Sequence, residues 1–154
     1  MVDKEIPSSH ISFFLDEYHV LDNFSACSIT FEGEVWPTLE HLYQASKFSD
    51  GKIVERIRRA TSPYEAKRIV YEKGVKEHID PKWNTRKLEV MGRLIRLKVS
   101  QHPYVEEVLL RSGTAPLIEK SDTDYYWGCG KDMTGENHVG KIWMEVRQEL
   151  FAKH

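Results

Sequence analysis

Apolar residues recur with the period of an α-helix through most of the chain after Trp36, and this pattern constrains the fold more than any other feature. They form one stripe along residues 86–100 and another along residues 139–150. Ser62 and Pro63 are a capping signal for a further helix. The sequence after Trp36 therefore predicts a mainly helical structure.

The first part of the chain is richer in β-branched and aromatic residues, which favour strands. Residues 11–14 and 27–31 have this composition, and Gly33 marks a turn after the second run. We expect a small antiparallel unit here, near the N-terminus. The predicted fold class is α+β: a mostly helical single domain over residues 1–154, with a core over about residues 11–150.

Length and composition exclude several classes of protein. A chain of 154 residues with 40% hydrophobic and 30% charged residues fits one soluble globular domain. The formal net charge of −2 provides no general attraction for nucleic acid. Cys27 and Cys129 match no metal or redox spacing, and residues 1–12 contain no apolar signal-peptide core. No stretch is long enough to span a bilayer, so we expect a cytoplasmic protein with no membrane partner.

A short helix that begins near Pro37 and Thr38 carries the first group of candidate functional residues. At helical spacing, Glu40, Gln44 and Lys47 fall on one face of this helix. An aligned carboxylate, amide and ammonium fit an acid–base site. A polar stripe of this kind also fits a solvated helix face, and the stripe alone favours that second interpretation.

Residues 121–140 contain three consecutive aromatic residues followed by repeated glycines, a composition typical of a loop. Glycines let backbone amides approach a ligand, and aromatic rings can stack on a planar base. Asn137 is a candidate N-cap for the last helix, whose free amides would attract phosphate or ribose oxygens. Composition alone favours the alternative, a tight loop whose aromatic rings fill the core.

The helix that begins near Trp83 is the most cationic part of the chain. Six basic residues, Arg86 among them, and one acid, Glu89, lie between positions 82 and 98. An arginine fork is a natural partner for phosphate. A basic helix face is also commonly just solvated, and Trp83 would equally serve as an anchor for the start of the helix.

Taken in order, the three clusters resemble the motifs of the NADAR family, the YbiA-like N-glycosidases. The motifs are W-P-T-x-E-H-x-x-Q-x-x-K-F from Trp36, W-x-x-R from Trp83 with Met91 and Lys98, D-x-x-W-G from Asp124, and G-x-N-x-x-G-x-x-x-M-x-x-R from Gly135. Each motif alone is weak, but their combination, order and spacing are specific. The resemblance covers nearly the whole chain.

The resemblance implies a hydrolase that needs no cofactor and cleaves an N-glycosidic bond between ribose and a base or amine. YbiA-like members cleave ribosylamino-pyrimidine 5′-phosphates, early intermediates of riboflavin biosynthesis, and release ribose 5-phosphate. Other members are similar to ADP-ribosyl hydrolases, including ones that act on guanine in nucleic acid. The implied partner is therefore a small phosphorylated riboside, with ADP-ribosylated nucleic acid as the alternative. The slight acidity of the chain favours the small molecule.

The motif positions also imply roles for individual residues. Glu40 would stabilise an oxocarbenium-like sugar, and Asp124 would orient water or handle the leaving nitrogen. Lys47 would keep Glu40 ionised or reach the phosphate, which Arg86 would clamp. The tryptophans would stack on the base, and the asparagines would bond to ribose hydroxyls or to backbone. The remaining predicted substrate-binding residues are Asn23, Gln44, Trp83, Trp127, Gly128 and Asn137.

One position departs from the family pattern, and two other classes of function remain. Asp22 stands where the family usually has serine, and its charge would alter substrate preference if it lies near the sugar. A non-catalytic ADP-ribose or nucleotide-binding module would not need Glu40. The pair Glu40 and His41 suggests a zinc hydrolase, but neither an H-E-x-x-H spacing nor a Cys/His cluster supports a metal site.

Overall fold

The computed structural model describes residues 10–13 and 16–154. The helices in these residues are α1 (Leu39–Ala45), α2 (Gly51–Arg58), α3 (Pro63–Val70), α4 (Trp83–Gln101), α5 (Pro103–Arg111) and α6 (His138–Ala152). The strands are β1 (Ile11–Ser12), β2 (Ile29–Phe31), β3 (Glu34–Trp36) and β4 (Leu117–Ile118), and short 3₁₀ helices cover Asp16–Leu21 and Lys76–His78. None of the described helices combines the length and apolar character needed to cross a bilayer. The mainly helical α+β class is confirmed.

The described residues form two compact units. We call Asn23–Gln101 the central unit, and His102–His154 together with the described residues up to Asp22 the terminal unit. The central unit holds the β2–β3 pair and α1 to α4, whereas the terminal unit holds the β1–β4 pair, α5 and α6. The single domain over residues 1–154 stays a prediction.

The central unit begins with the predicted antiparallel strands. β2 pairs with β3 so that Ile29 lies opposite Trp36. The two turn residues, Glu32 and Gly33, have φ angles of 50° and 80°, which a tight hairpin with right-handed strand twist requires. Ile29 and Trp36 are both buried, so the hairpin covers one side of the central core with its apolar ends.

Three helices of the central unit begin at side-chain caps. The side-chain oxygens of Thr38, Asp50 and Ser62 accept hydrogen bonds from backbone amides in the first turns of α1, α2 and α3. The predicted start at Ser62 and Pro63 is confirmed. The helix α2 was not expected, although Asp50 was the signal for it.

The terminal unit contains a pairing that composition does not reveal. β1 pairs in parallel with β4, with Ile11 opposite Leu117. The expectation that residues 11–14 belong to the antiparallel unit is therefore wrong for β1, because its partner comes from a remote part of the chain. Residue 14 lies outside the described residues. The core of this unit includes the buried side chains of Val105, Leu109 and Trp143.

Candidate active site

Helix α1 holds the predicted acid–base residues, and all of its residues are buried. Glu40 is 6% exposed, Gln44 is 2% exposed, and Lys47, just after the helix, is 7% exposed. Charged side chains are seldom this buried unless they are paired or functional. The interpretation of this stripe as a solvated helix face is therefore wrong.

Glu40 is held through both its side chain and its backbone. Gln44 Nε2 donates a 2.6 Å hydrogen bond to Glu40 Oε1, which is the contact that an i, i+4 spacing allows. The Glu40 amide donates to the Asn23 carbonyl oxygen at 3.1 Å. Asn23 Nδ2 in turn lies 3.5 Å from Met91 Sδ on α4. The structure thus brings Gln44 to the carboxylate of Glu40 and Asn23 to its backbone amide.

Lys47 lies among three aromatic rings. Its Nζ is 5.3 Å from the ring centroid of Tyr43, 5.8 Å from that of Tyr71 and 6.0 Å from that of Trp83, distances typical of cation–π contacts. Burial lowers the pKa of Lys47 from 10.5 to about 8, although attraction to Glu40 opposes this change. The Lys47 ammonium therefore loses its proton near pH 8, well below its ordinary range, while the neighbouring Glu40 carboxylate favours the charged form.

His41, next to Glu40 in the sequence, has a structural role. Its Nε2 lies 3.0 Å from the Ala60 carbonyl oxygen and its Nδ1 lies 2.8 Å from Thr38 Oγ1. Because a carbonyl only accepts hydrogen bonds, Nε2 carries the proton here. Burial lowers the pKa of His41, which favours the neutral ring. The Ala60 contact ties the start of α1 to the residues just after α2, and the Thr38 contact stays within the first turn of α1.

Trp83 and Arg86 lie at the start of α4. Trp83 is buried, and its ring centroid is 5.5 Å from that of Tyr43. Arg86 forms an ion pair with Asp80, and its guanidinium carbon lies 5.8 Å from the Trp83 ring centroid. The Lys82 amide, and after it Arg86, hold the pKa of Asp80 below its usual range. Trp83 therefore anchors the helix entry, and Arg86 already has an anionic partner.

Lys98 is a buried residue of the family motif for which the sequence indicated no role. It is fully buried, and its Nζ donates a 2.8 Å hydrogen bond to Ser25 Oγ. Ser25 belongs to the same short segment as Asn23, whose carbonyl receives the Glu40 amide. Lys98 and Met91 are spaced along α4 so that both lie on the inner face of the helix. This spacing is the sequence signal that could have identified Lys98 as a buried residue.

In the terminal unit, Asp124 shapes the start of the predicted loop. Its Oδ1 accepts hydrogen bonds from the amides of Tyr126 at 2.9 Å and Trp127 at 2.7 Å. Ser121 Oγ accepts a hydrogen bond from the Asp124 amide at 3.1 Å. This arrangement is an Asx turn. One carboxylate oxygen of Asp124 therefore sets the direction of the chain at the aromatic residues.

Gly128 lies where a larger residue would not fit. A Cβ atom at this position would be 2.7 Å from the Glu119 carbonyl oxygen and 3.2 Å from that of Asp124. The Gly128 carbonyl accepts a hydrogen bond from the Asn137 amide at 3.0 Å, which closes the loop. Gly128 is thus needed for packing, and its predicted contact with substrate stays a prediction.

Asn137 occupies the N-cap position of α6, as predicted, but its side chain does not cap the helix. Its Oδ1 accepts a hydrogen bond from the Glu119 amide at 2.9 Å, and its Nδ2 donates to the Leu117 carbonyl at 3.0 Å. The side chain therefore bonds to backbone, one of the two kinds of partner expected for it. It fixes the start of α6 against β4.

Two of the expected free amides at the start of α6 are occupied. The amides of His138 and Val139 donate to the carbonyl oxygens of Tyr126 and Trp127, each at 3.1 Å. The expectation that these amides attract phosphate or ribose oxygens is therefore wrong for these two positions, because the folded loop satisfies them first.

The aromatic residues of the loop form a cluster that is partly open. The ring centroid of Tyr126 lies 4.7 Å from that of Trp127 and 4.4 Å from that of His138. Burial, and after it Glu136, raises the pKa of Tyr126. None of Tyr125, Tyr126 and Trp127 is fully buried. The loop is tight, as the alternative interpretation expected, but its rings are at most partly buried, and Trp127 keeps an exposed surface.

The predicted site residues are divided between the two units. The central unit contains Asn23, Glu40, Gln44, Lys47, Trp83 and Arg86. The terminal unit contains Asp124, Trp127, Gly128 and Asn137. Across residues 10–13 and 16–154, no three His, Cys, Asp or Glu side chains are grouped so that they could hold a metal ion.

Comparison with known proteins identifies relatives over most of the chain. The sequence matches the NADAR domain over residues 11–151. It is 38% identical over 135 residues to N-glycosidase YbiA of Escherichia coli K12, a match that covers 88% of this chain and 83% of the relative. It is 40% identical over 136 residues to riboflavin biosynthesis protein VVA0006 of Vibrio vulnificus, covering 88% of this chain and 36% of that protein.

A solved structure supports the fold. The NMR structure of E. coli YbiA superposes with a TM-score of 0.83 at 34% sequence identity, covering 99% of this chain and 90% of that one. The helices and small sheets of this chain therefore form a known fold. Most of the motif residues lie in its helices and loops rather than in its strands.

Proposed function

The chain belongs to the NADAR family, and we propose that it is an N-glycosidase that hydrolyses the bond between C1 of a ribose 5-phosphate and the nitrogen of a base or amine. The name N-glycosidase YbiA supports the reaction class, and the riboflavin biosynthesis relative supports the pathway. As substrate we propose a ribosylamino-pyrimidine phosphate of riboflavin biosynthesis.

The observation that carries this proposal is the buried carboxylate of Glu40 with its fixed neighbours. A carboxylate that is 6% exposed has little competing water, and in such surroundings its charge interacts strongly with a nearby cation. The hydrogen bond from Gln44 fixes the carboxylate geometry in advance. A site of this kind suits a reaction in which positive charge develops on the substrate.

Hydrolysis of an N-riboside develops such a charge. The C1–N bond breaks, the bonding electrons leave with the nitrogen, and positive charge spreads over C1 and the ring oxygen. Water then adds at C1 and gives up a proton, while the leaving nitrogen gains one. We assign Glu40 to stabilise the cationic sugar and to take the proton from water. Lys47, protonated below about pH 8, favours the carboxylate form of Glu40.

The other residue roles are proposals that rest on the family motif. Asp124 would orient water or handle the leaving nitrogen through its second oxygen, since its Oδ1 already accepts two backbone hydrogen bonds. Trp127 keeps exposed surface on which a base could stack. Arg86 would bind phosphate in competition with Asp80.

A side-by-side assay tests the substrate. The protein is incubated with ribosylamino-pyrimidine 5′-phosphates, NAD, ADP-ribose and ADP-ribosylated guanine, and the products are identified by mass spectrometry. We expect ribose 5-phosphate and free pyrimidine from the first compounds only. Release of ADP-ribose from guanine, without cleavage of the pyrimidine riboside, would show that the substrate is ADP-ribosylated guanine instead. No cleavage of any compound would contradict the N-glycosidase assignment.

A further inference from the structure

The side chain of Gln44 has one hydrogen-bonding atom that the fold does not use. Its Nε2 donates to Glu40 Oε1 at 2.6 Å. Because a carboxylate only accepts hydrogen bonds, this contact turns the amide nitrogen of Gln44 towards Glu40 and leaves the carbonyl oxygen for another partner. Gln44 Oε1 is buried, and no donor in the described part of the chain contacts it. Gln44 therefore presents an unsatisfied acceptor beside the proposed catalytic carboxylate.

An acceptor in this position indicates a ligand that donates a hydrogen bond. Buried polar side-chain atoms are nearly always paired, and leaving one unpaired costs free energy. Gln44 is only 2% exposed, so its carbonyl oxygen has little access to bulk solvent. The i, i+4 hydrogen bond to Glu40 also opposes any rotation of the amide towards another partner. A group that enters the site with a hydrogen to donate would satisfy this oxygen.

Water is the donor that suits this pair of residues best. A water molecule has two hydrogens, so it can donate one to Glu40 and the other to Gln44 Oε1, and two polar partners are what a buried water needs. A carboxylate has about four lone-pair sites, so Glu40 can accept this bond besides the one from Gln44. The lone pairs of the water oxygen then point away from both acceptors and are available to an electrophilic carbon.

We propose that Gln44 Oε1 and Glu40 together hold the attacking water and thereby select water as the acceptor of the ribosyl group. This inference rests on the proposed N-glycosidase function. As the C1–N bond breaks, its electron pair leaves with the nitrogen, and the water oxygen forms a new bond to C1. One water proton passes to Glu40 and the leaving nitrogen takes up one proton, so the protons balance. The other water proton becomes that of the 1-hydroxyl of ribose 5-phosphate, which still donates to Gln44.

Competition between water and methanol tests this role, because methanol has only one hydroxyl hydrogen. It can donate to Glu40 or to Gln44 but not to both, so one buried acceptor stays unpaired. The wild-type protein is incubated with a ribosylamino-pyrimidine 5′-phosphate in dilute methanol, and mass spectrometry measures the ratio of ribose 5-phosphate to methyl riboside 5-phosphate. We expect water to be preferred at least about fivefold per mole, the effect of one unpaired buried acceptor.

Two substitutions separate this role of Gln44 from its support of Glu40. Gln44→Met keeps the length of the side chain but removes its donor and its acceptor, so turnover should fall and most of the preference for water should be lost. Gln44→Glu places a second carboxyl group beside Glu40, and two such groups share a proton. The new carboxyl group still offers a carbonyl oxygen, so the preference for water should persist even if turnover falls. Gln148→Met changes an exposed position of α6 and should alter neither turnover nor product ratio.

The outcomes distinguish this inference from the proposed function. Equal use of methanol and water by the wild-type protein would overturn the role of Gln44, would leave the glycosidase function intact, and does not depend on the folding of any variant. An unchanged product ratio in folded Gln44→Met, or a loss of the preference for water in folded Gln44→Glu, would also overturn it. If the wild-type protein cleaves no riboside in water alone, the proposed function fails and this inference fails with it.

Discussion

At the scale of single residues, burial distinguishes the polar stripe of α1 from an ordinary helix surface. Glu40, Gln44 and Lys47 occupy the face that their spacing predicts, but that face lies inside the protein. Keeping an ionisable group in such a place is costly unless it gains partners. The partners here are specific: an amide for the carboxylate and three aromatic rings for the ammonium.

The lowered pKa of Lys47 predicts a pH dependence of the reaction. Below about pH 8 Lys47 is mostly protonated, and it loses its charge as the pH rises through that value. If the ammonium supports the Glu40 carboxylate, kcat/KM should fall on the alkaline side with an apparent pKa near 8. The pH profile of the wild-type protein from pH 6 to pH 9.5 measures this effect.

The matched variants are Lys47→Arg and Lys47→Met. Arginine stays protonated throughout this range, so the alkaline fall should disappear or move far upward in Lys47→Arg. Lys47→Met should have low activity at every pH. An unchanged alkaline limb in folded Lys47→Arg would show that another group is responsible for it.

At the scale of elements, the sequence predicts those features that are set by local chemistry. The cap at Ser62, the hairpin turn at Gly33 and the loop after residue 121 all follow from residues close in the chain. The parallel pairing of β1 with β4 does not, because strand partners far apart leave no local pattern. The amides at the start of α6 were mispredicted for the same reason, since the carbonyls that satisfy them depend on how the loop folds.

The junction between β4 and α6 predicts a contrast between two glycine substitutions. In Gly140→Ala, the new Cβ would meet the Leu117 carbonyl oxygen at 2.2 Å. We expect a loss of about 1–3 kcal/mol in the free energy of unfolding, as for other overpacked sites. The measurement is urea denaturation followed by circular dichroism.

Gly51 provides the control within the same chain. It lies in the first turn of α2, and a Cβ there would meet no atom within 4 Å. Gly51→Ala should leave the free energy of unfolding unchanged or raise it by up to about 1 kcal/mol, because alanine favours a helix. If both substitutions changed the free energy of unfolding by the same amount, the close contact between a Cβ atom at position 140 and the Leu117 carbonyl would not be the cause of the loss.

At the scale of the whole molecule, the sequence order of the motifs predicted the family, but not how each residue is used. Glu40 and Gln44 are adjacent in the structure as their helical spacing required. The spacing could not show that Arg86 pairs with Asp80, that Asn137 bonds to the backbone of β4, or that Lys98 is fully buried. These contacts depend on tertiary packing. A sequence motif shows which residue type stands at a position, but not which residues it contacts.

Some residues of the family motifs have structural roles in the folded chain. Gly128 and Asn137 fix the loop and helix of the terminal unit, whereas Glu40 and Lys47 place ionisable groups inside the central unit. A family motif therefore combines residues that build the fold with residues that carry chemistry. Among the residues of the central unit, Glu40 is the one on which the proposed reaction depends most.

Turnover by Glu40→Gln tests the proposed reaction most directly. Glutamine keeps the size of the side chain and removes its charge, and circular dichroism with thermal melting checks that the variant is folded. With a ribosylamino-pyrimidine 5′-phosphate as substrate, we expect release of ribose 5-phosphate to fall at least about 100-fold, the lower end of typical losses for such groups. Near-normal release of ribose 5-phosphate by the folded variant would contradict the role of Glu40 in cleaving the N-glycosidic bond.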